Sequence, residues 1–117
     1  MSYEVTLTPE AKRDLREIYR YIAVDLQSEQ NANGQLDRLE ENILKLDEMP
    51  ERFRVYDREP WRNRNLRVMP VDNYLVFYIP DHQAETVAVL RIMYGRRDID
   101  AQLNGRKVGS GNDIRND

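Results

Sequence analysis

Apolar residues recur along this chain in two rhythms, and the change from one to the other divides it. From Tyr3 to Thr8 they alternate, with Val5 and Leu7 on one side, the pattern of a short strand. Thr8-Pro9-Glu10 then marks a helix start. Threonine can cap, proline suits the first helical position, and glutamate sits well at the positive end of the helix dipole. Ala11, Leu15, Ile18, Ile22 and Leu26 follow at spacings of three and four and draw one apolar face, widened by Tyr19 and Tyr21. The polar residues 27–31 are expected to turn the chain. Ala32, Leu36, Leu39, Ile43 and Leu46 then repeat with a four-three alternation, with Asp37, Glu40, Glu41 and Asn42 outside them. Pro50 ends this helix, because the residue before a proline avoids the helical region. Two apolar-faced helices joined by a short turn make an antiparallel hairpin, and each needs a surface to cover its stripe.

Beyond Pro50 the rhythm changes. Residues 51–64 are arginine-rich and have no clear period, with Phe53, Val55, Tyr56 and Trp61 interleaved, so this loop is expected to pack its aromatics. Three strands follow: residues 66–69, ending at Pro70; residues 74–79, closed by Pro80; and residues 86–94, broken by Gly95. Asp72-Asn73 and residues 81–85 read as turns, and such short connections imply antiparallel neighbours. In strand 86–94, alternation places Arg91 with Val87, Val89 and Met93, and Ala88, Leu90, Ile92 and Tyr94 opposite. Ile99 and Leu103 can anchor a last helical turn. The expected fold is α+β: an N-terminal strand, a helical hairpin and three antiparallel strands in one sheet, within a domain of residues 1–103. Residues 104–117, almost without apolar side chains, are expected to form a disordered tail.

Composition narrows the chemistry. The chain has 117 residues and no cysteine, which excludes disulfides, Cys-ligated zinc, iron–sulfur clusters and thiol catalysis. No apolar run approaches the ~20 residues of a membrane span, and residues 1–4 lack a signal-peptide layout, so a cytoplasmic location is the default expectation. The net charge of −3 hides an asymmetry: residues 1–48 carry 6 Lys/Arg against 11 Asp/Glu, whereas residues 52–67 carry 6 Arg against 2 acids. Any polyanion contact is therefore local.

Familiar catalytic constellations are absent, and neither a metal nor a cofactor is expected. The single histidine, His82, falls in a turn and reads as an exposed bystander. There is no Gly-rich phosphate loop and no nucleophile elbow. The unusual feature is arginine inside strands: Arg67 between Leu66 and Val68, and Arg91 between Leu90 and Ile92. A cation there is costly unless paired or open to solvent. Either these arginines face a wet sheet surface or they pair with acids, those of the hairpin among them. With Tyr94, Arg96 and Arg97 at the end of the last strand they are the candidate functional residues, suited to phosphate or to a partner's carboxylates.

At these residues the sequence resembles the RelE/ParE superfamily of toxins from type II toxin–antitoxin systems. Three segments carry the resemblance: residues 7–22, from Leu7-Thr8-Pro9-Glu10-Ala11 to Tyr21-Ile22; residues 39–50, with Leu39-Glu40, Ile43, Leu46 and Pro50; and residues 66–98, from Leu66-Arg67-Val68 through Asn73-Tyr74-Leu75-Val76-Phe77-Tyr78 to Tyr94-Gly95-Arg96-Arg97-Asp98. The resemblance implies the same fold and a cognate antitoxin whose C-terminal segment wraps the toxin. Arg52, Arg54, Arg58, Trp61, Arg62 and Arg64 are the candidate partner-binding residues. RelE-like members cleave mRNA on the ribosome with strand arginines, lysines and a C-terminal tyrosine. Here Leu75 stands where the middle-strand arginine is expected, no tyrosine follows Arg97, and the only lysines are Lys12, Lys45 and Lys107. ParE-like members inhibit DNA gyrase without known hydrolytic residues, and the long hairpin of residues 9–49 favours that side. The expected function is growth inhibition through gyrase. The alternatives are a ribosome-dependent endoribonuclease and a non-toxic antitoxin-binding module.

Overall fold

The computed structural model describes residues 2–95 together with Ile99 and Leu103. The expected tail, residues 104–117, lies outside them. Strand β1 (Glu4–Leu7) leads into helix α1 (Pro9–Arg20), which widens into a π-helical turn at Tyr21–Asp25. Helix α2 (Glu29–Leu44) returns and tightens into a 3-10 turn at Lys45–Asp47. Two short 3-10 turns, Pro50–Arg52 and Arg62–Arg64, then lead to strands β2 (Arg67–Val71), β3 (Tyr74–Asp81) and β4 (Thr86–Tyr94).

The helix starts follow local chemistry. Thr8 Oγ1 accepts the Ala11 N–H at 3.1 Å, and its hydroxyl donates to the Leu90 carbonyl at 2.9 Å. One side chain thus caps α1 and ties it to β4. The hairpin turn is shorter than expected. Ser28 Oγ accepts the Asn31 N–H at 3.3 Å, so α2 begins at Glu29 inside the polar stretch. The reversal is concentrated in residues 26–28, with Gln27 at φ 54°.

The four strands lie in the order β1-β4-β3-β2. β2–β3 and β3–β4 are antiparallel, as their short turns require. β1, however, runs parallel to β4, with Thr6 opposite Ala88; the whole hairpin serves as its crossover. Both proline boundaries need correction. β2 continues through Pro70 to Val71, because it is an edge strand and one row of its N–H groups has no strand to meet. β3 continues through Pro80 to Asp81, because β2 pairs only with Tyr74–Tyr78 and leaves the rest of β3 open on that side.

The sheet is covered on both faces. Ala11, Ile18, Ile22, Ala32, Leu39 and Ile43 of the hairpin pack against Met69, Val76, Tyr78, Val87, Val89 and Ile92. On the other face Leu66, Val68, Phe77 and Met93 are buried under Tyr56, Trp61, Ile99 and Leu103. The aromatics of the arginine-rich loop do pack, and Ile99 and Leu103 are both helical. Burial on two sides explains the almost unbroken apolar run of β3.

The expected faces of β4 are half wrong. Phe77 lies opposite Arg91 and Tyr78 opposite Val89, so Leu90 is an extra residue. This bulge resets the alternation. Ile92, not Met93, joins Val87 and Val89 under the helices, and Met93 joins the opposite cluster.

Candidate binding cleft at the end of the sheet

The bulge places Arg91 and the Ile92 backbone against α1. Arg91 Nε donates to Asp14 Oδ2 at 2.7 Å and Nη2 to Oδ1 at 3.1 Å, while the Ile92 N–H donates to Oδ2 at 2.9 Å. This is a two-pronged guanidinium–carboxylate pair. Its side chains are only 25% and 14% exposed, so water screens it less than a surface pair. Of the two fates open to a strand arginine, Arg91 takes pairing with a hairpin acid.

Arg67 takes neither. Its Nη1 donates to the carbonyls of Glu51 at 2.9 Å and Phe53 at 2.7 Å, and its enclosed Nε has no hydrogen-bond acceptor. Beside it the Tyr78 hydroxyl donates to the Pro50 carbonyl at 2.5 Å. Burial pushes the Tyr78 phenol up to about 12, against the pull of the Arg67 and Arg52 charges. This arginine and tyrosine fasten the turn at residues 50–53 to the sheet.

Tyr94 meets Tyr74 edge-on, with ring centroids 5.7 Å apart. It lies at the end of the sheet away from Arg67, which pairs with Tyr78. The three described candidates therefore do not converge. Arg96 and Arg97 lie outside the described residues.

Arg91 and Tyr94 do share a cleft of about 1150 Å³ between the tip of the hairpin and the C-terminal end of β4. Helix α1, its wide turn and the Leu26 that caps it contribute Arg13, Glu17, Arg20, Tyr21, Asp25 and Leu26; α2 contributes Asn31, Gly34 and Arg38; Asn73 comes from the β2–β3 turn and Tyr74 from the start of β3. The helices overhang the sheet here, which leaves Tyr21 51% and Leu26 55% exposed. Arg38 Nε reaches Asp72 Oδ2 at 2.7 Å and Gln35 reaches the same oxygen at 3.0 Å. The Arg38 bond, then that of Gln35, holds the Asp72 carboxyl below its ordinary 3.8. A Cβ on Gly34 would meet Arg38 Nη1 at 3.3 Å, so glycine at this point leaves room for the arginine.

The cleft offers guanidinium groups, amides, tyrosine hydroxyls and apolar side chains. Histidine, the side chain suited to proton transfer near neutrality, is absent from its lining. His82 lies at the other end of β3, and it is not the bystander expected. It accepts or donates at Nδ1 to the Tyr3 hydroxyl at 2.5 Å and meets Glu51 through Nε2. Among the described residues no group of three or more His, Cys, Asp or Glu could hold a metal ion.

The partner-binding candidates lie outside the cleft. Arg52 Nη1 donates to the Glu48 carbonyl at 2.7 Å, closing the end of the hairpin. Arg62 pairs with Glu59 at 3.0 Å and Asp57 at 3.4 Å. Arg64 lies over the Trp61 ring, 5.0 Å from its centroid. Arg54 and Arg58 are exposed on the same loop. Sequence reading missed Asp14 and the overhanging tip. For Asp14 a signal existed: it is a carboxylate three residues from Ala11 and four from Ile18, on the border of the apolar stripe.

No curated protein sequence matches the chain significantly. Among solved structures, the chain is similar to one from the chromosomal ParDE toxin–antitoxin system of P. aeruginosa, with TM-score 0.65 and 18% identity over 80% of this chain and 96% of that one. It is similar to one from the toxin–antitoxin complex RelBE2 of Mycobacterium tuberculosis, with TM-score 0.60 and 23% identity over 80% and 99%. The archaeal RelE–RelB complex of Pyrococcus horikoshii gives TM-score 0.58 and 18% identity over 83% and 99%. These likenesses establish the fold. The model of the ParE toxin of the type II toxin–antitoxin system, parDE, matches residues 5–99. With a match over most of its length, the chain belongs to the ParE toxin family of type II toxin–antitoxin systems.

Proposed function

We propose that this toxin arrests growth by binding DNA gyrase, with no phosphodiester chemistry of its own. The observation that supports this reading is the fate of the strand arginines. Arg91 is held by Asp14, and Arg67 by the Glu51 and Phe53 carbonyls. Cleavage of RNA needs cations free to meet the phosphate and a group to move the proton. Leu75 adds neither, since it packs against the apolar cluster of the outer sheet face. Purified protein is expected to block gyrase supercoiling of plasmid DNA. Unaffected supercoiling with the toxin in excess over gyrase would sink the idea. Ribosome-dependent cuts in mRNA after induction, lost on Arg96→Ala, would establish the endoribonuclease reading in its place. Growth unimpaired by induction would establish the non-toxic module.

The solved relatives are toxin–antitoxin complexes, which supports a cognate antitoxin as partner. In this reading Arg54, Arg58 and Arg64 offer charge to the antitoxin, with Trp61 beside them, while Arg52 and Arg62 shape the loop.

A further inference from the structure

The loop of residues 51–64 puts a basic surface on the face of the sheet opposite the hairpin. Backbone bonds close it into a compact unit. The Tyr56 N–H donates to the Leu66 carbonyl at 2.7 Å, the Arg62 N–H to the Arg58 carbonyl at 2.9 Å and the Arg64 N–H to the Trp61 carbonyl at 3.0 Å. Residues 54–56 also lie alongside the start of β2. Val55 bridges Arg67 in the antiparallel sense, and the Val68 N–H donates to the Arg54 carbonyl at 3.1 Å. In this register Arg54 stands opposite Val68, and Tyr56 opposite Leu66. Tyr56, Leu66 and Val68 all belong to the outer cluster, so strand alternation sends the Arg54 side chain to the same side. Arg64 reaches that side too, because it covers Trp61, which packs on the same cluster.

The charge of this surface is left over. The two acids of residues 52–67, Asp57 and Glu59, both pair with Arg62. Arg54 and Arg64 are exposed, and among the described residues neither makes an ion pair. The acid-rich half of the chain, residues 1–48, builds the hairpin, which covers the other face of the sheet. A polyanion is therefore attracted to one side of the molecule and repelled from the other, although the net charge is −3. The aromatic rings of the loop are not open to nucleic-acid bases: Tyr56 meets Phe77 edge-on inside the cluster, and Trp61 lies under Arg64. What this surface offers is contact with backbone phosphates, which a duplex carries on its outside. We propose that Arg54 and Arg64 hold the phosphate backbone of duplex DNA without reading its sequence. The choice of a duplex rests on the gyrase reading above, since gyrase works on duplex DNA. The same arginines cannot meet antitoxin carboxylates and DNA phosphates at once, so these two partners exclude each other on this face.

The test is fluorescence anisotropy of the purified chain with a short labelled duplex of mixed sequence, read at several salt concentrations. Binding is expected to be indifferent to sequence and to weaken roughly tenfold between about 50 and 200 mM salt, as two phosphate contacts require. Arg54→Gln and Arg64→Gln should each make the plot of log affinity against log salt shallower by about one unit. Arg16→Gln, an equally exposed cation on α1, should leave it unchanged. Circular dichroism checks that all three variants fold. Absence of binding at low salt would overturn the proposal. So would binding that Arg54→Gln and Arg64→Gln leave at the wild-type slope, since the contact would then lie elsewhere. A single strand of the same length bound as tightly as the duplex would overturn the assignment to duplex DNA. The supercoiling assay judges the gyrase reading separately. A chain that blocks supercoiling but binds no DNA overturns this inference and spares that reading, and a chain that binds DNA through these arginines but leaves supercoiling untouched does the reverse.

Discussion

Asp14 accepts three donors from β4, two from Arg91 and one from the Ile92 backbone. Replacing it by asparagine keeps the shape but removes the charge that Arg91 faces. A sheltered cation left without its anion costs about 3–5 kcal/mol, reduced here by the water that still reaches Arg91. We expect Asp14→Asn to lower stability by roughly 2–4 kcal/mol in urea titration, and an unchanged midpoint would show that the pair is replaceable. Tyr78 gives a pH signature. Its folded pKa is raised from 10.0 to about 12, so the folded state holds the proton more tightly than the unfolded chain. The stability that this contributes is complete below pH 10 and is lost as pH rises towards 12. Tyr78→Phe should therefore flatten the alkaline limb of thermal stability, and an unchanged limb would assign it to other groups. Of this the sequence shows two unusual strand arginines and a carboxylate, Asp14, on the border of the α1 stripe, but not which groups meet. Their partners are 77 residues away for Arg91, and backbone carbonyls for Arg67, and neither has a local pattern.

The elements were the readable scale, because helix and strand periods and cap residues act over a few positions. Thr8 shows how far that goes. Its capping role follows from Thr-Pro-Glu alone, but its second bond, to the Leu90 carbonyl, does not. Thr8→Ala should cost about 1–2 kcal/mol, and Thr8→Ser should recover most of it by supplying the same oxygen. Equal losses from both, measured by chemical unfolding, would assign the effect to the methyl group instead. The errors at this scale have one cause. Pro70 and Pro80 were read as strand ends because a proline gives no N–H to a ladder, yet that matters only where a neighbouring strand is present to receive it. Likewise the alternation of β4 fails at Leu90, where a bulge inserts one residue without any mark in the residue types.

At the scale of the molecule, the sheet carries two apolar clusters, one under the hairpin and one under the loop and the helical residues Ile99 and Leu103. Val76 and Phe77 are adjacent in β3 and belong to different clusters, so neither face should melt alone. The one tryptophan, Trp61, reports on the outer cluster, whereas far-ultraviolet dichroism follows the helices. The two signals should trace the same urea transition, and separate midpoints would mean that the faces unfold independently. The cleft became visible only at this scale, since it is made where the helices outrun the sheet. The parallel pairing of β1 with β4 was hidden for the same reason, and it sets a clock. β1 is synthesised before the rest of the sheet, and its place there does not exist until β4 is made, roughly 80 residues later. At ~5–20 residues per second that is a wait of roughly 4–16 s. During it the hairpin is complete while its apolar stripes have nothing to cover them. The newborn chain thus carries uncovered apolar stripes for seconds before its sheet is complete, the interval in which it is most open to association.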